Sequence, residues 1–219
     1  MTTLYQPACA APPSRGSNPF ATCWTKPGAL GYGWQGACAE GASIGGLIER
    51  WSNAGWRGQI VGPHGSGKTT LLHALHRAFS RSDTEVVWLD LTGEAVRLRS
   101  DASYLVEGFE RLRRGERVRL LRQLSNRSAG YLVATHHAWS VWPMRLPVIH
   151  QARPCPAQML ALFAQLTRGR QTQVTNEDAL KSFALRGGNL REVWFDLHQL
   201  HEQRLRPQRT AQVQVSYFG

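Results

Sequence analysis

One stretch restricts this chain more than any other: Gly62-Pro63-His64-Gly65-Ser66-Gly67-Lys68-Thr69. It fits G-x-x-x-x-G-K-[ST], a loop whose backbone amides close around an anion. A short apolar segment, Gln59-Ile60-Val61, precedes it. A segment with helical spacing follows, carrying Leu71, Leu72, Ala74, Leu75, Ala78 and Phe79. Strand, loop and helix in that order are the context the motif requires. Glycine lets the loop adopt backbone angles that other residues resist. The amides of Gly65 to Thr69 are expected to point inward, with the positive end of the following helix behind them. Lys68 would reach the β- and γ-phosphates, and the Thr69 hydroxyl would ligate Mg²⁺. The expected nucleotide-binding set is Gly62, Pro63, His64, Gly65, Ser66, Gly67, Lys68, Thr69 and Thr70. The expected ligand is a nucleoside triphosphate with Mg²⁺.

The rest of the chain alternates strand and helix. Ser43 to Ala54 has Ile44, Leu47, Ile48 and Trp51 on one helical face. Strands are predicted over Glu85–Leu91, Ser103–Val106 and Gly130–Thr135, with a short fifth over Leu146–His150. The apolar centre of Val86-Val87-Trp88-Leu89 implies burial on both faces, as in a parallel sheet. An irregular stretch is expected over Glu94–Asp101, and a helix over Phe109–Gln123. Such alternation gives an α/β fold, a doubly wound and mainly parallel sheet. From Pro154 the pattern is helical only. Thr175 with Asp178, and Asn189 with Glu192, read as two helix starts. Val193, Trp194, Leu197 and Leu200 form an apolar stripe, read as core. Four regions follow: 1–54 (leader, aromatic segment and helix), 55–153 (nucleotide core), 154–205 (helical lid) and 206–219 (polar tail). Within the first, 1–19 read as a flexible leader. Phe20 to Trp34 is rich in aromatics and turn formers, and is expected to pack against the domain.

Composition narrows the class. The chain has 219 residues, enough for a full core, and a net charge of +11. That excess favours polyanionic partners. No apolar run is long enough to span a membrane, and the N-terminus lacks a signal-peptide pattern. The expected location is cytoplasmic. Cys9, Cys23, Cys38 and Cys155 lack metal-ligand spacing and are expected as reduced thiols.

A loop of this kind works with an acidic residue at the end of a nearby parallel strand, which holds Mg²⁺. Asp90 and Glu107 both end strands. Glu107 is preferred from chain order: the strand after the loop's helix is expected at the sheet edge, and the next strand beside the loop. Glu110 then offers a second carboxylate to orient the attacking water. The expected catalytic residues from this reading are Lys68, Glu107 and Glu110. The expected metal residues are Thr69 and Glu107, with Asp90 as the alternative.

Over residues 55–203 the chain resembles the AAA+ and related STAND-type ATPases. Gly62–Thr69 corresponds to their Walker A loop. Tyr104–Glu110 corresponds to a variant Walker B strand, with Glu where Asp is usual. Tyr131–His136 corresponds to the sensor-one strand, and Gly188-Asn189-Leu190-Arg191 to the sensor-two helix start. The resemblance implies a P-loop NTPase sheet with a small C-terminal helical lid, γ-phosphate sensing by Thr135, His136 and Arg191, and a place for Arg191 among the catalytic residues. It also implies that the aromatic segment 20–34 covers the adenine. No inter-subunit arginine finger is evident, so a working hexameric ring is not expected.

The resulting expectation is an ATP-binding protein, a Mg²⁺-dependent ATPase acting as a molecular switch, with output through a partner protein. Two alternatives stand beside it. One is a P-loop small-molecule kinase with Arg168-Gly169-Arg170 in its lid. The other is a nucleic-acid-associated ATPase using the arginines of 111–122, a run whose plainer reading is a solvated helix face. GTPases and ABC ATPases are disfavoured: neither N-K-x-D nor an LSGGQ-type signature is present.

Overall fold

The computed structural model describes residues 18–34, 43–80, 85–91, 98–142 and 144–215, with only the helical backbone given for 206–215. The elements in order are α1 (Thr22–Thr25), α2 (Ile44–Asn53), β1 (Arg57–Val61), α3 (Lys68–Phe79), β2 (Val86–Asp90), β3 (Ser103–Glu107), α4 (Arg114–Arg127), β4 (Gly130–Thr135), β5 (Ser140–Val141), β6 (Met144–Arg145), β7 (Val148–Gln151), α5 (Pro156–Thr167), α6 (Asn176–Leu185) and α7 (Leu190–Val215). A 3-10 turn over Phe109–Arg111 separates β3 from α4. The leader up to residue 17, Cys9 and Cys38, and the first half of the irregular stretch 94–101 lie outside the described residues. Cys23 and Cys155 are free thiols.

Five strands form one sheet in the order β2-β3-β4-β1-β7, and every pairing is parallel. The alternation of side chains shows why both faces must be covered. On β3 and β4, Leu105, Leu132 and Ala134 point to the face packed by α2 and α3, among Leu47, Trp51, Leu71, Leu72 and Leu75. Their neighbours Tyr104, Val106, Tyr131 and Val133 point to the face packed by α4, through Leu121 and Leu124. This is the doubly wound α/β sheet that the sequence pattern implies. A fully buried leucine is worth roughly 1.5–3 kcal/mol, so these two layers supply much of the driving force. Strand β2 is only half-buried, as an edge strand should be.

One expectation fails. β3 does not lie beside the P-loop strand; β4 lies between them. A right-handed crossover through α4 returns the chain to the gap next to β1, so chain order and spatial order differ there. The helix expected at 109–123 is also displaced. Leu112 and Arg113 are extended, which breaks the 3-10 turn from α4, and the Glu116 carboxylate accepts from the Arg113 amide at 2.7 Å to start the true helix. The fifth strand begins two residues later than the pattern suggests. It is preceded by a small β5–β6 hairpin whose tip exposes Trp142.

The last three helices form a separate layer around Met159, Leu162, Phe163, Ala179, Val193, Trp194 and Leu197. Thr175 and Asp178 make a reciprocal capping box at α6. Arg204 grips the Asp178 carboxylate at 2.6 and 3.0 Å. Its hydrogen bonds pull that acid down to about 2. α7 continues past Pro207 to Val215, beyond where the sequence pattern ends the lid. Residues 18–34 run as a strap from this layer to the sheet. Phe20 stacks on Phe163 with centroids 5.7 Å apart, and the Arg170 guanidinium lies 3.7 Å over the Trp24 ring.

Gln59, in the middle of β1, is only 1% exposed. Its amide donates to the carbonyls of Trp139 and Leu146 at 3.1 and 2.7 Å and accepts from the Trp139 amide at 2.7 Å. These bonds fasten the base of the β5–β6 hairpin to the sheet. Gln59→Leu leaves the Trp139 amide and the Leu146 carbonyl without their partner, while the Trp139 carbonyl keeps its bond from the Leu146 amide; it is expected to lower stability by about 3 kcal/mol. A urea midpoint equal to that of the wild type would contradict this.

Candidate functional site

Parallel strands place the ends of β1, β2, β3, β4 and β7 on one sheet edge. The loop 62–67 leaves β1 there and enters α3 at Lys68. Gly65 and Gly67 hold φ of +68° and +89°, angles that favour glycine strongly. They turn the loop into a cradle at the positive end of α3. Ser66 Oγ is buried there without a hydrogen-bonding partner among the described residues.

Lys68 is 8% exposed. Its ammonium donates to the loop's own carbonyls, Gly62 at 2.7 Å and Pro63 at 2.8 Å. Burial holds this ammonium below the usual lysine range; Glu110 opposes that, and Arg191 repels it further. A desolvated cation beside a glycine loop at the positive end of a helix is an arrangement that suits an anion.

The Thr69 hydroxyl donates to Glu107 Oε1 at 2.6 Å. β3 delivers Glu107 even though β4 intervenes, because α3 crosses above the sheet. Asp90 is paired with Glu107 in the strand register and is exposed. Burial pushes the Glu107 carboxyl above its ordinary value; the Thr69 hydrogen bond works against this, and Asp90 and Glu110 add to it. A hydroxyl and a carboxylate oxygen side by side form a hard-donor pair of the type Mg²⁺ takes. These residues fit that ion.

Gly108, at φ +81°, turns the chain immediately after Glu107 and brings Glu110 to the same edge. Glu110 Oε1 lies 3.5 Å from His136 Nε2, while its Oε2 is buried with no partner among the described residues. The His136 ring lies against His64 of the loop, with centroids 3.7 Å apart and the planes tilted by 52°. Burial, then the nearby Lys68, lowers the His136 value, so at neutral pH it faces Glu110 as an uncharged ring. Thr135 is buried, and its hydroxyl donates to the His137 carbonyl. The Thr135 hydroxyl is thus engaged in its own turn, while His136 faces Glu110.

The lid touches the loop directly. The Leu190 amide, at the start of α7, donates to the Gly65 carbonyl at 3.2 Å. A methyl at Gly65 would sit 1.7 Å from Asn189 Oδ1. Arg191 follows, exposed, close enough to Lys68 to influence its charge. Thr70 lies half-buried in the first turn of α3.

For three further contributors the partners were not legible in the sequence. Tyr32, from the strap, lies over the loop: a Cβ at Gly67 would meet its ring at 3.3 Å. Its hydroxyl meets His150 Nε2 at 2.8 Å, and Trp34 closes the group edge-on at 4.8 Å. Gln158 of α5 donates to the Gly33 carbonyl at 2.8 Å. The aromatic content of 20–34 signalled packing, but only the fold shows the partners. Arg170, considered above as part of a kinase-type lid, is held on the Trp24 ring and donates to the Leu166 carbonyl at 2.9 Å.

No protein-family model matches the sequence, and no curated protein matches it. Solved structures do match in fold. NtrX from Brucella abortus in complex with ADP superposes with a TM-score of 0.52 at 16% identity, over 73% of this chain and 49% of that one. Another NtrX structure from the same organism gives a TM-score of 0.50 at 14% identity, over 73% of this chain and 50% of that one. This chain thus spans about half the length of the NtrX chains. At such identity the likeness establishes the shared α/β fold.

Two predictions follow from the geometry. Gly65→Ala combines left-handed strain, roughly 1–3 kcal/mol, with a collision against Asn189. Adding Asn189→Ala should recover part of the lost stability and leave the strain; strictly additive losses in the double-mutant cycle would contradict the contact. Glu107 provides the second. With its native value raised, the folded state binds more protons than the unfolded chain from the ordinary carboxylate value upward, so stability falls as pH rises through that window. Glu107→Gln in chelator-treated protein should therefore raise Tm more at pH 7 than at pH 4. An equal change at both pH values would contradict it.

Proposed function

We propose that this chain binds ATP with Mg²⁺ in the 62–70 loop and acts as a slowly hydrolysing, AAA+-like switch whose lid responds to the nucleotide. The observation that carries the reading is the 2.6 Å contact between Thr69 and Glu107. It aligns the loop's metal-binding hydroxyl with a strand-end acid, the pairing that separates a triphosphate site from an ordinary glycine turn. The ADP in the NtrX structure of the same fold supports it.

In this reading the amides of Gly65 to Thr69 hold the phosphates, and Lys68 exchanges its two loop carbonyls for phosphate oxygens. Thr69 and Glu107 would hold Mg²⁺, which when bound offsets charge on the β- and γ-phosphates. Glu110 orients the attacking water through its free Oε2. His136, uncharged, leaves that carboxylate available as an acceptor. Tyr32 and Trp34 flank the base. Arg191 and the start of α7 report the γ-phosphate to the lid, because Leu190 and Asn189 already rest on Gly65. The closing of α5–α7 would present the switch to a partner protein.

The test is titration with labelled ATP and GTP, followed by phosphate release without any acceptor. Lys68→Ala should weaken ATP binding by about 100-fold or more, the scale of losing a charged contact of about 3 kcal/mol. Glu110→Gln should keep binding within a few-fold while phosphate release falls by about 100-fold or more. Unchanged affinity in Lys68→Ala would refute the site. Loss of ATP only when a small acceptor is present would refute the switch reading in favour of a kinase.

A further inference from the structure

The outer face of α4 has no role in the nucleotide site, yet it is densely charged. Its inner face is fixed by Leu121 and Leu124 in the core. Arg113, Arg114, Arg119, Arg122 and Arg127 are therefore turned to solvent. None of the five forms an ion pair among the described residues. The sole acid on the helix, Glu116, is occupied at its N-terminus by the Arg113 amide. Arg57, from the start of β1, donates to the Ser125 carbonyl at 3.2 Å and brings another exposed guanidinium to the far end of the helix.

This face is shaped as well as charged. A shallow, open depression of about 290 Å³ lies on it, lined by Gly115, Arg119, Arg122, Gln123, Asn126 and Arg127, with Val118 at its side. Residues 115, 119, 122 and 126 recur at helical spacing, so the lining is one continuous strip. A side chain at 115 would meet nothing within 4 Å, so that end of the strip is open. Asn126 and Gln123 add neutral donors between the guanidinium groups. From Arg114 to Arg127 the helix rises about 20 Å, at roughly 1.5 Å per residue.

The isolated helix gains little from this pattern. Arg113 and Arg114 stand at the positive end of its dipole, where cations are unfavourable. Arg119 and Arg122, three residues apart, repel each other. A polyanion laid along the strip relieves both. The overall charge of +11 steers such a partner toward the protein. The strip contains no aromatic side chain on which an unpaired base could stack, as single-strand sites require. Guanidinium groups with interspersed amides suit phosphate oxygens of a duplex.

We propose that the outer face of α4 is a docking surface for the phosphate backbone of double-stranded DNA, bound without base reading through Arg119, Arg122 and Arg127. The surface is separate from the 62–70 loop and does not depend on the reading of that loop.

The test is fluorescence anisotropy of a labelled 24-base-pair DNA duplex with the full chain, free of nucleotide, from 50 to 200 mM salt. The wild type should bind in the micromolar range or tighter at the lowest salt, with a steep loss as salt rises. Replacing Arg119, Arg122 and Arg127 together by Gln should reduce the salt slope by about 2.7, at about 0.9 per phosphate contact, and weaken binding by more than about 100-fold at 0.1 M salt. Each single variant should lower the slope by about 0.9, which keeps the test readable if the triple variant folds poorly. The triple Lys variant should stay within about threefold of wild type, since the phosphate term follows charge. A control that removes the same charge elsewhere, Lys26, Arg168 and Lys181 to Gln, should also change affinity by about threefold or less. Equal losses in the two Gln triples would overturn the proposal. So would tighter binding of the matching single strand, or sedimentation with phosphatidylserine vesicles in the absence of duplex binding.

Discussion

Parallel pairing of β1 with β4 and β7 constrains the molecule more than any side-chain contact. With all five strands pointing one way, their ends gather on one edge. The residues just past those ends are free of the ladder, so polar groups can gather there at little cost to the core. Loop 62–67, Asp90, Glu107 and Thr135 all lie on that edge for this reason. The burial of β3 and β4 on both faces then sets the local dielectric. It raises Glu107 and lowers Lys68 and His136. A charged carboxylate and an ammonium are held in an environment that favours a bound, oppositely charged ligand over solvent.

The second dependency runs from loop to lid. The three-helix layer has its own apolar centre and could have docked against the sheet in several ways. The Leu190 amide and the Asn189 side chain seat its last helix on Gly65, and the strap 18–34 binds its other end through Phe20 and Trp24. The glycine loop and the C-terminal helical layer therefore meet at one residue's backbone. In the switch proposed above, a group entering the loop would alter the setting of Gly65 and so reach α7 directly. Such a link suits a switch, since a small displacement in a packed contact is transmitted as a rigid-body shift.

Much of this was legible in the sequence, for identifiable reasons. The passage from β1 through the 62–67 loop into α3 was readable because glycines at fixed spacing mark such a turn. The strands β3 and β4 were readable because burial on both faces leaves an unbroken apolar run. The capping box at Thr175 and Asp178 was readable because it is a local hydrogen-bond pattern. What was not legible was long-range. The position of β3 two places from β1 depends on where α4's crossover returns, and no local signal encodes that. The break at Leu112 and Arg113 is hidden by leucines and arginines that suit a helix equally well. Tyr32 over Gly67 and Gln158 on Gly33 join residues far apart in the chain. Their residue types signal burial or hydrogen bonding without naming a partner.

The central claim is that the 62–70 loop and the β3 acid form one triphosphate site. The most direct measurement is a crystal structure with a non-hydrolysable ATP analogue and Mg²⁺. The account predicts the triphosphate inside the loop, the metal on Thr69 Oγ1 with Glu107 as its nearest acid, and α7 still seated against Gly65. Nucleotide bound elsewhere with the loop vacant, or a metal held by Asp90 with Glu107 turned away, would contradict it.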